Sequence, residues 1–339
     1  MSHPPTPYAV VVPTVGRPCL ADCLGALAAS RGPEPRRVVV VDDRPCEPPP
    51  GEAPESLSLD ALGPLAARAV LLRSGGRGPA AARNTGLREV AEPWTVFLDD
   101  DVRVGPSWRA ELVRDLAAAS PRTGGVQGVL RVPLPARRRP TDWERNTAGL
   151  ERALWATADM AYRTEALRAV GGFDERFRRA FREDADLALR IVDAGWLIRR
   201  GTRRTDHPVR PADRWASLRA QRGNADDALM VRLHGPDWWT RAAAPRGRIR
   251  RHAAITAAGV LALALAAAGR RRAAALAAGG WLLGTAEFAR ARIAPGPRTR
   301  EEVLTMAVTS AAVPALATWH RIAGELRHRS AGAWKGGAV

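Results

Sequence analysis

Lysine is almost missing from this chain. Lys335 is the only one, although Lys and Arg together number 52 against 35 Asp and Glu, a formal net charge of +17 over 339 residues. Arginine carries nearly all the basicity, alongside heavy use of Ala, Gly and Pro, which points to coding bias in a GC-rich genome more than to function. The charge still favours anionic partners such as phosphates or acidic lipids. Basic-aromatic interleaving, zinc-finger spacing and a recognition helix are all lacking, so nucleic acid is not an expected partner. Cysteine is scarce too: Cys19, Cys23 and Cys46 are odd in number and match no zinc or disulfide spacing. They read as small apolar residues in a reducing compartment. The opening "MSHPPTPYAVVVPTVGRP" lacks a basic region, apolar core and cleavage site, so no secretory leader is expected. What is plentiful is apolar sequence, 46% of the chain, enough for one large or two smaller folded domains.

The first half alternates strand and helix signals. "YAVVVPTV" (8–15) is a β-branched run that stops at a loop, and "PCLADCLGALAAS" (18–30) spaces Leu20, Leu24 and Leu27 as a helix does. "RRVVVVDD" (36–43) is a second buried strand ending in two acids. Strand, helix, strand at this spacing is a βαβ unit and implies a parallel sheet. Residues 44–64, rich in Pro, Glu and Ser, predict an exposed loop. Strands are expected again at 68–74, 94–100, 124–134 and 196–201. Helices are expected within 75–91, after a Gly-rich loop, and at 107–119, 164–173 and 182–196, with a surface loop over 135–145. In open α/β sheets ligands bind beyond the carboxyl ends of the strands. The acids at 42–43 and 99–101 fall at such ends.

Composition changes after about residue 240. Three apolar runs of 17 residues follow, at 253–269, 273–289 and 303–319, with "RRR" at 270–272 between the first two. At ~1.5 Å per residue each reaches about 25 Å, short of a membrane core of ~30 Å. Arg270–Arg272 at the tip of a hairpin would also run against the positive-inside trend. Membrane association, by spanning or by lying on the surface, stands beside a soluble bundle of Ala-rich helices. The expected division is 1–240 and 241–339.

By residue 101 the order of motifs resembles the family 2 glycosyltransferases of the GT-A fold. The motifs are "VPTVGRP", "VVVDD", "GRGPAAARNTGL" and "FLDDDV", and "GGFDERFRRAFREDADLALRIVDAGW" extends the likeness to residue 196. The match covers roughly residues 8–235; no one motif is specific, but five in the right order are. The resemblance implies a Rossmann-like, mostly parallel sheet flanked by helices, here with a C-terminal Ala-rich helical region. It implies transfer of a sugar from a nucleotide-diphosphate donor to an acceptor hydroxyl.

Chemistry gives each motif a role consistent with that likeness. Departure of a diphosphate is eased by a divalent cation, and Mn2+ or Mg2+ accepts carboxylate and phosphate oxygens together. Asp99 and Asp101 match the family's D-x-D metal motif, and alternate side chains of an extended chain share a face; Asp101 is the first choice as metal ligand, with Asp99 facing the nucleotide's ribose or the metal. Asp100 between them turns to other partners and is kept with the nucleotide-sugar-binding set. The alternative is a solvated acidic turn. Asp42 or Asp43, with a slight preference for Asp43, is expected on the nucleotide base, although either acid could cap a turn. Pro13, Thr14 and Arg17 match the first nucleotide loop, and Arg83 and Asn84 the phosphate side at a helix start. It is no P-loop, because the Gly-Lys-Ser/Thr ending is absent.

Asp184 matches the family's base, taking the acceptor's proton in an inverting transfer, with Glu183 orienting acceptor or base. Acids also favour a helix N-terminus without any catalysis. "ATADMAYR" (156–163) matches the loop lining the sugar pocket, with Asp159 and Met160 as candidates; Trp155 stacks on a sugar or packs in the core. His207 is a third metal-ligand candidate or a surface histidine. Trp238 and Trp239 anchor at a lipid interface or simply pack.

The expectation is an inverting, metal-dependent glycosyltransferase at the cytoplasmic face of the membrane. Its acceptor would be a cell-envelope glycan or lipid carrier, with an anionic membrane surface as a further partner. The alternative is a catalytically silent nucleotide-sugar-binding or scaffold protein. A nucleotidyltransferase would need a Gly-rich triphosphate signature near the first strand, which "VVPTVGRP" does not provide.

Overall fold

The computed structural model describes residues 6–45 and 57–334. The chain divides into two compact units. One contains the residues up to Pro133 and Leu150–Pro208, the other Leu134–Gly149 and Val209–Ala333. The second unit thus begins at Val209 and takes in the segment around 141. Cys46, and most of the loop expected over 44–64, lie outside the described residues.

The first unit is built on an eight-stranded sheet. Its strands are β1 (Tyr8–Thr14), β2 (Arg37–Asp42), β3 (Ala69–Arg73), β4 (Trp94–Leu98), β5 (Arg103–Val104), β6 (Thr123–Arg131), β7 (Asp159–Arg163) and β8 (Leu197–Asp206), in the order β3-β2-β1-β4-β7-β6-β8-β5. The β1–β2, β2–β3, β1–β4 and β6–β8 pairs are parallel, and the pairs of β7 with β4 and β6 and of β5 with β8 are antiparallel. The sheet is thus parallel in its N-terminal half and mixed beyond β4.

Two sides of the sheet are covered, as the unbroken valine runs of β1 and β2 require. Val10, Val12, Val38 and Val40 pack with α1 (Cys19–Ala29), while Ala9, Val11, Val39 and Val41 pack with α2 (Pro79–Arg88). Each fully buried valine contributes roughly 1.5–3 kcal/mol of apolar burial. Helix α3 (Trp108–Ala117) joins α1 on its side through Trp108, Leu112 and Leu116. After α4 (Asp142–Ala148) of the other unit, α5 (Thr164–Ala169) and α6 (Glu183–Asp193) join α2 through Leu167, Leu187 and Ile191.

Four local expectations change. The described end of the 44–64 loop folds into a 3-10 helix, Asp60–Arg68, with Leu62 and Leu65 in the core. Residues 159–163, expected in a loop, form β7, and β8 runs to Asp206 instead of ending at 201. Residues 142–145, the end of the expected surface loop, begin helix α4, started by a capping box in which Thr141 and Glu144 satisfy each other's backbone N–H.

The second unit is helical: α4, α7 (Ala216–Ala220), α8 (Gly223–His234), α9 (Trp238–Arg241), α10 (Ile249–Ala267), α11 (Arg271–Ile293) and α12 (Arg300–Arg327). Helix α12 crosses α8 closely at Gly324, where a Cβ would meet the Ala225 Cα at 2.5 Å. Helices α10 and α12 are long and apolar enough to cross a membrane by length and composition, with only 11% and 33% of their apolar windows buried. Leu263, Leu276 and Leu283 lie on the surface of α10 and α11. Trp238 is buried, and Trp239 is partly covered beneath Arg246.

Candidate active site

Because β1, β2 and β4 run parallel, Thr14, Asp42–Asp43 and Asp99 emerge on one rim. The order β3-β2-β1-β4 changes direction between β1 and β4, the switch point at which such sheets open a crevice. There the three adjacent aspartates separate by partner. Asp100, 1% exposed, turns to the β1 loop, accepting from the Thr14 hydroxyl and from Arg17, each at 2.6 Å. It therefore ties the "PTVGR" loop to the acidic turn. Pro13 is the buried strand residue before that loop.

Asp99 and Asp101 converge with His207, one ligand atom from each lying within 4.8 Å of the others. His207 Nε2 is 3.6 Å from an Asp101 oxygen, and its Nδ1 faces the Pro208 carbonyl at 3.3 Å. A proton on Nδ1 would leave the Nε2 lone pair toward the acids, the usual support for a ligating imidazole. Two carboxylates gathered beside a ring nitrogen repel one another, and a divalent cation converts that repulsion into binding. The oxygen-rich set with one nitrogen suits Mn2+ and also accommodates Mg2+.

Arg83 does something the sequence did not disclose. It is 2% exposed and bridges two acids, donating to Asp99 at 2.8 Å and to Glu183 at 2.9 Å. Its guanidinium also lies 5.4 Å from the centre of the Phe173 ring. Arg83 is thus a strut between the metal-facing acid and α6, rather than an exposed phosphate contact. Asn84 is likewise occupied. Its amide donates to the Phe173 carbonyl at 2.9 Å and accepts from the Phe173 N–H at 2.8 Å. Gly172 (φ +73°) must be glycine there, since a Cβ would meet the Asn84 oxygen at 2.6 Å.

Glu183 and Asp184 open α6, preceded by Arg182 in a left-handed conformation (φ 77°). Such a conformation is uncommon for a non-glycine residue and marks a constrained turn. Burial pushes the Glu183 carboxyl up, and the neighbouring Asp184 charge adds to this against the pull of Arg83. Asp184 is partly exposed, and desolvation also raises its carboxyl, opposed by the Ala185 N–H and by Arg83. A carboxylate whose proton affinity is raised is a better base at neutral pH.

The two acids after β2 are both engaged. Asp43 accepts from the Ser74 hydroxyl (2.7 Å) and from the N–H groups of Arg77 (3.0 Å) and Gly78 (2.8 Å). It fixes the Gly-rich loop that leads into α2. Gly78 (φ +98°) is required there, because a Cβ would sit 2.5 Å from the Arg178 carbonyl oxygen. Asp42 is held by the Arg44 guanidinium at 2.8–3.1 Å, which keeps its carboxyl below the usual range despite desolvation. Neither acid presents an unengaged carboxylate to a base, so a nucleotide contact by either would have to displace or share these partners.

Asp159 does not join the rim. It has no exposed surface, and its carboxylate accepts from Trp108 Nε1 (2.8 Å), Arg203 (2.8 Å) and Thr205 (2.6 Å). Arg203, itself 0% exposed, also reaches Asp115 at 3.3 Å. The expected sugar contact is instead part of a closed ion-pair network. Trp155 packs against the Phe97–Phe173 side of the core with φ 67°, its N–H bonded to Gln127.

With this geometry in hand, similarity to known proteins is informative. Residues 9–141 match the family model described as Glycosyl transferase family 2. Two sequences described as pre-mycofactocin glycosyltransferase, from Mycobacterium tuberculosis strains CDC 1551 and H37Rv, are each 31% identical over 213 residues, 58% of this chain. The chain spans 43% of the length of these curated relatives. A mannosyltransferase from Pyrobaculum calidifontis, solved with GDP-Man and Mn2+, shares the fold over 93% of this chain and 86% of its own, with a TM-score of 0.54 at 22% identity.

Proposed function

We propose that the protein, whose residues 9–141 match the family 2 glycosyl transferase model, is an inverting, metal-dependent glycosyltransferase using a nucleotide-diphosphate sugar. The observation that carries this reading is the meeting of Asp99, Asp101 and His207 on the rim, with Arg83 linking Asp99 to the helix that bears Asp184. Asp99, Asp101 and His207 would hold Mn2+ or Mg2+. Bound there, the cation would neutralise negative charge on the departing diphosphate.

The chain's own residues divide the remaining work. Asp100 holds Thr14 and Arg17 against the acidic turn, placing the β1 loop beside the nucleotide. Asp184 takes the proton of the acceptor hydroxyl, whose oxygen bonds to the anomeric carbon as the bond from that carbon to the diphosphate breaks. Attack opposite the leaving group inverts the centre, and the nucleoside diphosphate departs with the electron pair. Arg83 and Glu183 position Asp184 by fixing the start of α6.

The acceptor side of the proposal rests on the helical unit. Two apolar helices with little buried surface fit a protein at the cytoplasmic face of a membrane, bound to anionic lipid and serving a cell-envelope glycan or lipid-linked acceptor. A thermal-shift screen of UDP, dTDP and GDP with Mn2+ tests the donor site: stabilisation by one of them is expected, and no shift with any would overturn the reading. Nucleotide release is then followed over an acceptor panel that includes pre-mycofactocin, named for the Mycobacterium tuberculosis relatives. The anomeric configuration of the product, read by NMR, decides inversion.

A further inference from the structure

The helical unit contains a cleft of about 540 Å³, walled by α4, by residues 212–221, by the end of α11 and by the start of α12. Its charge is unlike that of the chain. Asp142, Asp213, Glu301 and Glu302 line it against three guanidinium groups, those of Arg145, Arg214 and Arg292. Three positive and four negative groups leave a lining near neutrality in a chain of formal charge +17. A phosphate or a nucleic acid gains little from such a wall.

The cleft is also held in place. The Asp142 N–H donates to Glu302 at 2.8 Å, and the Asp142 carboxylate accepts from Arg292 at 2.8 Å and from Arg145 at 3.3 Å. Arg292, largely buried, donates further to Thr309 (2.8 Å) and Ser310 (3.1 Å). Trp143 lines the same cleft, its indole N–H fixed on the Arg210 carbonyl at 3.0 Å. Asn146 and Gln221 add amide groups that both donate and accept. Polar groups anchored this way lose little freedom when a ligand arrives.

We propose that this cleft binds a neutral saccharide. Sugar hydroxyls donate and accept at once, which matches carboxylates, amides and guanidinium groups side by side. The C–H faces of the ring match the indole of Trp143. The cleft shares no residue with the rim of Asp99 and Asp101, and the inference does not depend on the transfer reaction.

The full chain is titrated with neutral gluco-, manno- and galacto-oligosaccharides by calorimetry and saturation-transfer NMR. At least one series is expected to bind. The double variant Gln221→Ala with Glu301→Ala should weaken it about tenfold or more, since each lost hydrogen bond is worth roughly 1 kcal/mol. Binding of a nucleoside diphosphate with Mn2+ should be unchanged in that variant. Asp101→Asn should do the reverse, so failure of one reading is distinguishable from failure of the other. If thermal melting shows the double variant misfolded, Glu301→Gln alone replaces it. The proposal is overturned if no neutral oligosaccharide binds, if the folded variant binds as well as the parent, or if a sulfated oligosaccharide binds in preference.

Discussion

Asp101, in the turn after β4, and Asp159, on β7, are both buried acids, yet one faces a candidate metal site and the other closes a core. At the rim, Asp101 shares its surroundings with Asp99 and His207, whose Nε2 lies 3.6 Å from an Asp101 oxygen. Behind β6–β8, Asp159 has an arginine, a hydroxyl and an indole on its two oxygens. A buried carboxylate must be compensated in the folded state. The Asp159 network supplies its compensation from the chain, and the rim brings two carboxylates and an imidazole together as a set that a cation can join. Substitutions at the two places should therefore separate cleanly, one losing ligand and keeping the fold, the other losing the fold.

The largest effect is expected at the rim. Asp101→Asn should abolish Mn2+-dependent stabilisation by nucleoside diphosphates and turnover with it, while the ligand-free melting temperature stays within a few degrees. Asp184→Asn should lower turnover by about 10²- to 10⁴-fold with nucleotide binding retained, the range for loss of a general base. Full turnover in that variant, with native folding, would remove Asp184 from its role.

Asp159→Ala sharpens the other side of the comparison. It leaves the Arg203 guanidinium buried and short of a partner, and should cost about 3–5 kcal/mol of stability by urea unfolding. A variant that loses nucleotide affinity with unchanged stability would place Asp159 at the site instead.

The pH profile is the gentler probe. Asp184 must be ionised to act, and desolvation raises its proton affinity. Turnover should therefore fall on acidification at a higher pH than an ordinary aspartate would give, with no loss on the alkaline side from this group. An acid limb at the usual aspartate position would contradict the burial argument. Smallest of all, Thr141→Ala should cost about 1 kcal/mol by removing the N-cap of α4. Urea unfolding measures that loss.

Much of the scaffold could be read from local pattern. The β-branched runs of β1 and β2, the leucine spacing of α1 and the acids after Leu98 each announce themselves within a dozen residues. Asp99, Asp101 and His207 were all named from sequence, and they meet. The residues around them were less legible. Arg83 looked like a phosphate contact in a Gly-rich loop, but its partner Glu183 is 100 residues away. Asn84 reads from its motif as a nucleotide contact, and its hold on the Phe173 backbone is not legible there. The stretch 156–163 looked like a pocket loop because an antiparallel insertion between β4 and β6 depends on neighbours remote in the chain. The capping box at Thr141–Glu144 is legible as T-x-x-E, although the arginines just before it mask it.

Sequence by itself determined where β1, β2 and β4 end and that β2 and β4 end in acids, because β-branched runs and breaks in them act over a few residues. Only the tertiary structure decided which acids the chain satisfies. The partners that distinguish Asp101 from Asp100 and Asp159 lie tens of residues away, at His207, Arg17 and Arg203. A hydrogen bond depends on distance in space, and that distance exists only once the sheet has formed.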